Sequence, residues 1–166
     1  MAQALETSRL SPRQLTLEIT ESVLVSDLEA MSSRLRELKG LGVLLAIDDF
    51  GTGCSSLSYL RRFPIDMLKI DKAFVDGIGQ GREDTALAHA IVKLSHTLQL
   101  HTVAEGIEHA EQAAHLATLG CQDGQGYHFA RPLSAAAMTE LLAKSLADGG
   151  FYLQTAQPAG SLSEVG

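Results

Sequence analysis

Short apolar runs alternate with longer amphipathic stretches along the chain. The runs have the length and composition of strands, and the stretches between them have the 3.6-residue periodicity of helices. This alternation is typical of βα units that build a parallel sheet, so we predict an α/β fold. The predicted strands are Leu15–Ile19, Val43–Ile47, Met67–Ile70, His101–Ala104 and a weaker run at Gln125–Phe129.

The helices are predicted from apolar stripes and from their start and stop signals. A capping box at Ser26 and Glu29 starts one helix, Ser134 caps another, and Gly40 and Gly120 are placed as C-terminal stops. Residues Met1–Leu10 are predicted to be the end of a helix. The four predicted stripes are Leu28, Met31, Leu35 and Leu38; Leu87, Ile91, Leu94 and Leu98; Ala113, Leu116 and Leu119; and Met138, Leu141, Leu142 and Leu146.

The domain boundary follows from where this periodicity stops. Residues 1–148 are predicted to form one structural unit, and residues 149–166, rich in Ser, Gly, Pro and Gln, a loosely ordered tail. The hydrophobic fraction of 45% in 166 residues permits a real core and excludes a disordered chain.

Charge and composition exclude several function classes. The net charge of −7 argues against binding to nucleic-acid polymers or anionic membranes, which requires a basic surface. Two cysteines, Cys54 and Cys121, are too few for a disulfide scaffold, and the run Leu41–Ile47 is too short to span a membrane. We therefore expect a cytoplasmic protein without membrane contact in this segment.

Polar side chains of the kind used in active sites occur where the predicted strands end. The carboxyl ends of parallel strands open on one face of a sheet or barrel, where the βα loops build the site. Five strands would therefore direct carboxylates, an ammonium and an amide toward one opening. These residues are Glu18, Asp48 with Asp49, Lys69, Glu105 and Gln125.

Asp48 and Asp49 directly follow a buried run, where two adjacent negative charges require a cationic partner. Such a pair can bind two divalent ions about 3.5–4 Å apart, the separation used in phosphoryl transfer, and oxygen ligands favour Mg²⁺ or Mn²⁺. Glu18 and Glu105 would complete the acidic ring. Alternatively, the two aspartates cap the turn at Phe50–Gly53 and the helix after it.

The other strand-end residues each allow two interpretations. Lys69 is either a surface or salt-bridged lysine, or a cation that holds a water or a phosphate oxygen against developing negative charge. Glu105 is predicted to be a ligand or a base, whereas Glu108 suits the first turn of the following helix. Gln125 either bonds a metal-bound water or is an ordinary loop residue.

Signatures of other chemistry are missing from the sequence. It contains no GxSxG, no GxxxxGK[ST] and no GxGxxG, and its six histidines have no zinc-binding spacing. Acyl-serine, P-loop, dinucleotide-binding and zinc hydrolase functions are therefore disfavoured.

Five segments in register resemble the EAL-type cyclic-di-GMP phosphodiesterase family, and the resemblance covers about Leu10 to Leu142. The segments are Leu17-Glu18-Ile19-Thr20-Glu21, Ile47-Asp48-Asp49-Phe50-Gly51-Thr52-Gly53, Leu68-Lys69-Ile70-Asp71, Val103-Ala104-Glu105-Gly106-Ile107-Glu108 and Gln125-Gly126-Tyr127.

This resemblance implies a TIM-like barrel that hydrolyses cyclic di-GMP to linear pGpG with Mg²⁺ or Mn²⁺ at a two-metal site. By position, it implies that Glu18, Asp48, Asp49 and Glu105 bind metal, that Lys69 positions the catalytic water, and that Gln125 supports the arrangement. Glu21 and Glu108 match glutamates that support the loop after the aspartate pair and its link to dimerisation. One departure is Cys54, which stands where the family usually has an aromatic residue.

The family's Glu-Ala-Leu motif, a substrate-binding arginine and an asparagine ligand are absent from the sequence. We therefore expect the chain to be the C-terminal part of such a domain, about five βα units of a partial barrel, with weak metal binding and weak or no activity alone. Expected partners are cyclic di-GMP and either a second copy or the N-terminal half of the barrel. The alternative is an inactive module for dimerisation or cyclic dinucleotide sensing.

Overall fold

Five parallel strands form one sheet in the order of the sequence. The computed structural model describes residues 1–20, 28–51, 60, 62–79 and 82–147. Parallel strands in sequential order, joined by helices, are the arrangement of a TIM-like barrel. The strands are β1 (Thr16–Thr20), β2 (Leu44–Phe50), β3 (Met67–Ile70), β4 (His101–Ala104) and β5 (Asp123–Gly124).

Six α-helices and one short 3₁₀ turn are present in the described ranges. The turn, Pro12–Gln14, leads into β1. Gly120, with φ of 89°, ends one helix as predicted, and the Ser134 hydroxyl accepts a hydrogen bond from the Ala137 amide as an N-cap. The helices are α1 (Ala2–Ser8), α2 (Leu28–Gly40), α3 (Lys72–Asp76), α4 (Arg82–Thr97), α5 (Ala110–Leu119) and α6 (Ala135–Ala147).

The core lies where the strands pack against the helices. Leu45, Ile47, Leu68 and Ile70 on the two central strands are almost completely buried. A parallel sheet covered on both faces has nearly continuous apolar strands, which explains why these runs were visible in the sequence. The α/β prediction is confirmed.

Strand β2 contains an irregularity at its carboxyl end. Ile47 pairs with Leu68 and Phe50 with Ile70, so two residues of β2 lie opposite the single residue Lys69 of β3. Such a bulge bends a strand and redirects its side chains. The sequence placed the aspartate pair after the strand, but Asp48 and Asp49 are its bulged residues, and Asp49 has a φ of 54°.

Strand β5 differs from its prediction. The strand is Asp123–Gly124, and Gln125–Phe129 is not a strand. Its backbone bonds to the loop at Ile107 instead: the Gln125 carbonyl accepts a hydrogen bond from the Ile107 amide, and the His128 amide donates to the Ile107 carbonyl. Gly126 makes this close approach possible, since a Cβ there would lie 2.2 Å from the Ile107 carbonyl oxygen.

The buried face of α4 is also displaced from the predicted stripe. Leu87 is 49% exposed, whereas Ala88, Val92 and Ser95 are buried together with Ile91. Small residues form most of the buried face. The stripe predicted from the large apolar side chains is therefore rotated away from the face that is actually buried.

Helix ends show two further differences. Gly40 belongs to α2 rather than stopping it, and Gly42, with φ of 87°, adopts the left-handed conformation after the helix. The sequence did not predict α3, although Asp71 caps it by accepting a hydrogen bond from the Ala73 amide at 2.8 Å. Ser26, predicted to start α2, and the predicted tail lie outside the described residues.

No helix in the described ranges is long and apolar enough to cross a membrane.

Candidate active site

Lys69 is the centre of the acidic cluster at the carboxyl end of the sheet. Its Nζ lies 2.9 Å from Glu18 Oε2, 2.9 Å from Asp48 Oδ1 and 2.6 Å from Glu105 Oε1. These three carboxylates come from β1, β2 and the residue after β4, so the sheet itself assembles the cluster. The structure therefore brings together strand-end residues that are far apart in sequence.

The surroundings of Lys69 keep its ammonium charged. Its side chain is only 7% exposed, because its neighbours on β3 belong to the buried core. Burial lowers the pKa of Lys69, but its contacts with Glu105, Glu18 and Asp48 outweigh burial and raise that pKa well above its ordinary value. Lys69 is therefore a buried, permanently charged cation in an ion-pair network, and the surface-lysine alternative is wrong.

Three carboxylates are close enough to share one cation. Oxygen atoms of Asp48, Asp49 and Glu105 lie within 4.8 Å of one another. Oxygen ligands about 2.1 Å from a Mg²⁺ ion stand up to about 4.2 Å apart, so a small adjustment would bring the three into one coordination sphere. Glu18, with its side chain 50% exposed, contacts Lys69 on the open side of the cluster.

The donor set fits a divalent metal. Asp48 Oδ1 is buried and faces the Lys69 ammonium at 2.9 Å, a contact that uses one of the two lone pairs of this carboxylate oxygen. It therefore keeps the other lone pair for a further cation. Because every ligand offered here is a carboxylate oxygen, the set suits hard ions such as Mg²⁺, Mn²⁺ or Ca²⁺ rather than a zinc site of histidine and cysteine.

Asp49 shows the effect of crowding like charges. The negative charge of Asp48 raises the pKa of Asp49, burial and a hydrogen bond with Asp71 raise it further, and Lys69 lowers it only in part. The αL backbone at Asp49 permits this geometry, since the bulge places both aspartates opposite Lys69. A bound cation would offset this repulsion.

Gln125 is tied to Glu105. Its side-chain Nε2 donates to Glu105 Oε1 at 2.5 Å, and its backbone amide donates to the Ala104 carbonyl at 2.8 Å. The Glu105 amide in turn donates to the Ile70 carbonyl at 3.0 Å. Glu105 is thus fixed by its backbone to β3 and by its carboxylate to Lys69 and Gln125.

Glu108 lies in a separate ion-pair cluster. Lys72 Nζ contacts Glu108 Oε1 and Asp76 Oδ1, each at 2.8 Å, on the exposed surface beside α3. These contacts raise the pKa of Lys72, led by the hydrogen bond to Asp76. Two other predicted residues, Glu21 and Cys54, lie outside the described residues, as does most of the loop after the aspartate pair.

Two contributors were not identified as site residues from the sequence. Asp71 caps α3 and hydrogen bonds to Asp49, and its position as a polar residue before a short helix was a capping signal that could have been used. Gln112 is a buried amide that bonds the Glu108 and His109 amides, four and three residues before it, and the distant Val75 carbonyl. A Gln at the third position of a helix is a capping-box signal that could have been used.

The chain is similar in sequence and in fold to known proteins. The sequence matches the family model of the EAL domain over residues 1–132. It is 45% identical over 139 residues to the cyclic di-GMP phosphodiesterase NbdA of Pseudomonas aeruginosa, covering 84% of this chain and 18% of that protein. The chain therefore spans less than a fifth of the length of this relative.

Solved structures share the fold. The PaMucR phosphodiesterase in complex with c-di-GMP superposes with a TM-score of 0.77 at 44% identity, covering 82% of this chain and 55% of that one. The manganese and c-di-GMP complex of Klebsiella pneumoniae BlrP1 superposes with a TM-score of 0.73 at 34% identity, covering 79% and 33%. The five-stranded sheet is thus part of a TIM-like barrel, and the chain belongs to the EAL domain family.

Proposed function

We propose that this chain, as part of a complete EAL domain, hydrolyses cyclic di-GMP to linear pGpG with Mg²⁺ or Mn²⁺. The observation that carries this proposal is the buried ammonium of Lys69 held among Glu18, Asp48 and Glu105 at the carboxyl end of the sheet. Support also comes from NbdA, named as a phosphodiesterase for this dinucleotide, and from the c-di-GMP complex of PaMucR.

The metal would be held by the acidic cluster. Asp48, Asp49 and Glu105 supply the close carboxylates, and Glu18 extends the set on its open side. Bound divalent cations supply Lewis acidity, which makes a water molecule a stronger acid and offsets charge on the phosphoryl group. The manganese complex of BlrP1 supports the choice of metal.

Lys69 acts by charge rather than by proton transfer. Because its pKa is raised far above neutrality, its ammonium does not serve as a base at physiological pH. Its three N–H groups face Glu18, Asp48 and Glu105, so one of these contacts, most readily that with the exposed Glu18, has to open before Lys69 donates to the attacking water or to a non-bridging phosphate oxygen. The burial of Lys69 strengthens this interaction, because electrostatic stabilisation is larger in a site with little water.

The reaction breaks one bond and forms one. The oxygen of water bonds to phosphorus, the bond from phosphorus to the 3′ oxygen breaks, and the product carries a 5′-phosphate and a free 3′-hydroxyl. One water proton passes to a carboxylate, for which Glu105 is well placed, and the leaving oxygen gains a proton from solvent. Gln125 keeps the Glu105 carboxylate in orientation through its 2.5 Å hydrogen bond.

The proposal is tested by following cyclic di-GMP and pGpG chromatographically with the complete EAL domain in the presence of Mn²⁺. We expect the wild type to form pGpG and Asp48→Asn to lose at least about 100-fold in rate, as expected on loss of a ligand. Asp66→Asn, at the opposite end of the sheet, is the matched control and should retain activity. Absence of pGpG from the wild type, or equal rates for wild type and Asp48→Asn, would contradict the proposal.

A further inference from the structure

Gln112 is a buried polar side chain outside the acidic cluster. It lies in the first turn of α5 and is only 6% exposed. Its Oε1 accepts hydrogen bonds from the backbone amides of Glu108 and His109, each at 2.9 Å, and its Nε2 donates to the Val75 carbonyl at 3.2 Å. All three partners are main-chain groups, so Gln112 fixes backbone rather than another side chain.

The backbone that Gln112 fixes begins at Glu105. We call residues Glu105–His109 the β4–α5 loop. Its first amide donates to the Ile70 carbonyl on β3, and the Ile107 amide donates to the Gln125 carbonyl. Gln112 binds the last two amides of the loop, so this segment is held at its start, its middle and its end.

The remaining contacts of the β4–α5 loop give it little freedom of its own. Ile107 is completely buried, and Gly106 packs so closely on the side chain of Lys72 that a Cβ would lie 2.4 Å from Lys72 Cγ. Gly106 has a φ of 67°, in the left-handed region that favours glycine, and this conformation lets the backbone pass close to α3. Without the Gln112 carbonyl, two amide donors at the end of the loop would lose their acceptor, which favours rearrangement of the loop.

We propose that Gln112 is a positioning residue for Glu105: its Oε1 fixes the Glu108 and His109 amides at the end of the β4–α5 loop, so that the Glu105 carboxylate stays between Lys69 and Gln125. This inference rests on the proposed function, because it concerns the same site. Gln112 positions Glu105 mainly through Oε1, which accepts the two loop amides, and its bond to the Val75 carbonyl is secondary.

Two variants separate the effect of the Gln112 hydrogen-bond acceptor from the effect of the side chain's size and shape. Gln112→Met keeps the length of the side chain but removes the acceptor, whereas Gln112→Glu keeps an acceptor for both amides and loses the donor to Val75. The matched control is Gln122→Met, because Gln122 also accepts a backbone amide, that of Thr102 at 2.9 Å, near the amino end of the neighbouring strand β4.

The experiment has one readout without metal and one with it. In metal-free protein, the NMR signals of the Gln125 side-chain amide report the position of Glu105, because that amide donates to the Glu105 carboxylate. With Mn²⁺ alone, its dissociation constant is measured from the signal of free Mn²⁺ in electron paramagnetic resonance.

For Gln112→Met we expect shifted Gln125 signals, amide exchange at Glu108 and His109 at least about tenfold faster, and a Mn²⁺ dissociation constant roughly three to ten times higher, below the 10- to 100-fold typical of residues that bond a ligand directly. Gln112→Glu should restore the Gln125 signals and most of the affinity. Gln122→Met should change neither.

Unchanged Gln125 signals and wild-type Mn²⁺ affinity in folded Gln112→Met would overturn the proposal, and so would equal effects of Gln122→Met. If Gln112→Met does not fold, Gln112→Glu decides: Gln125 signals at their wild-type positions support the acceptor role, and displaced signals contradict it. If the wild type takes up no Mn²⁺, the proposed function fails, whereas the metal-free signals of Gln125 still decide the role of Gln112.

Discussion

The two ends of the sheet use charged residues in different ways. At the amino end, Lys39 Nζ bonds both oxygens of Asp66 at 2.8 Å, and the Leu45 amide donates to the same carboxylate. One cation there meets one anion whose oxygens are satisfied. At the carboxyl end, Lys69 is shared by Glu18, Asp48 and Glu105, and the cluster has an excess of negative charge.

This difference indicates that the charged residues at the amino end stabilise the fold, whereas those at the carboxyl end form the candidate active site. In barrels of parallel strands the amino end commonly serves stability and the carboxyl end carries the active site. The pair of Lys39 and Asp66 is balanced in charge, whereas the carboxyl-end cluster has three carboxylates around one ammonium and is the proposed metal site.

The largest effect is expected from replacing Lys69, at the carboxyl end of the sheet, and Lys39, at the amino end, each by methionine. Lys69→Met removes the charge that we propose faces the phosphate, and we expect the rate of pGpG formation in the complete EAL domain to fall by at least about 100-fold. Lys39→Met should lower the melting temperature but leave the rate per folded molecule within about twofold. Similar rates for the two variants would show that the two ends are not functionally distinct.

The next effect concerns folding stability in metal-free protein. Asp66→Ala removes the acceptor of the Lys39 ammonium and of the Leu45 amide, and should reduce the free energy of unfolding by about 2–3 kcal/mol. Glu18→Ala, at a carboxylate whose side chain is 50% exposed, should cost less than about 1 kcal/mol. Urea unfolding measures both, and a larger loss for Glu18→Ala would contradict this assignment.

The smallest effect is the pH dependence contributed by Asp49. Its folded-state pKa is raised above the ordinary 3.8, so the folded protein binds this proton more tightly than the unfolded chain does. The contribution of Asp49 to stability is therefore lost as the pH rises from about that value through the raised pKa.

Asp49→Asn should accordingly stabilise metal-free protein at pH 7, on the order of 0.5 kcal/mol after solvent screening, and have little effect at the acid end of this range. Thermal unfolding across pH measures the difference. Destabilisation by Asp49→Asn at pH 7 without metal would contradict the raised pKa of Asp49.

Much of the fold could be predicted from the sequence because parallel strands are buried on both faces. Met67–Ile70 and His101–Ala104 were predicted to the residue, since their apolar runs end abruptly. Strand β5 has only two residues and no periodicity of its own, and Gln125–Phe129 turns back onto Ile107 instead of extending it.

The candidate site was predictable in part. The strand-end pattern indicated which side chains would meet, because one geometric property of parallel sheets brings their ends together. The pattern contained no information on the bulge that places Asp48 and Asp49 opposite Lys69, nor on the hydrogen bonds of Gln112. The bulge and the bond of Gln112 to Val75 depend on contacts between segments distant in sequence, whereas the bonds of Gln112 to the Glu108 and His109 amides are local.

The most direct test of the acidic cluster as a metal-binding catalytic centre is a calorimetric titration of Mn²⁺ into the complete EAL domain and its Asp48→Asn and Asp66→Asn variants. We predict Mn²⁺ binding by the wild type and by Asp66→Asn, and a loss of at least about tenfold in affinity for Asp48→Asn. The account would be contradicted if the wild type bound no Mn²⁺, or if Asp48→Asn bound it as tightly as the wild type.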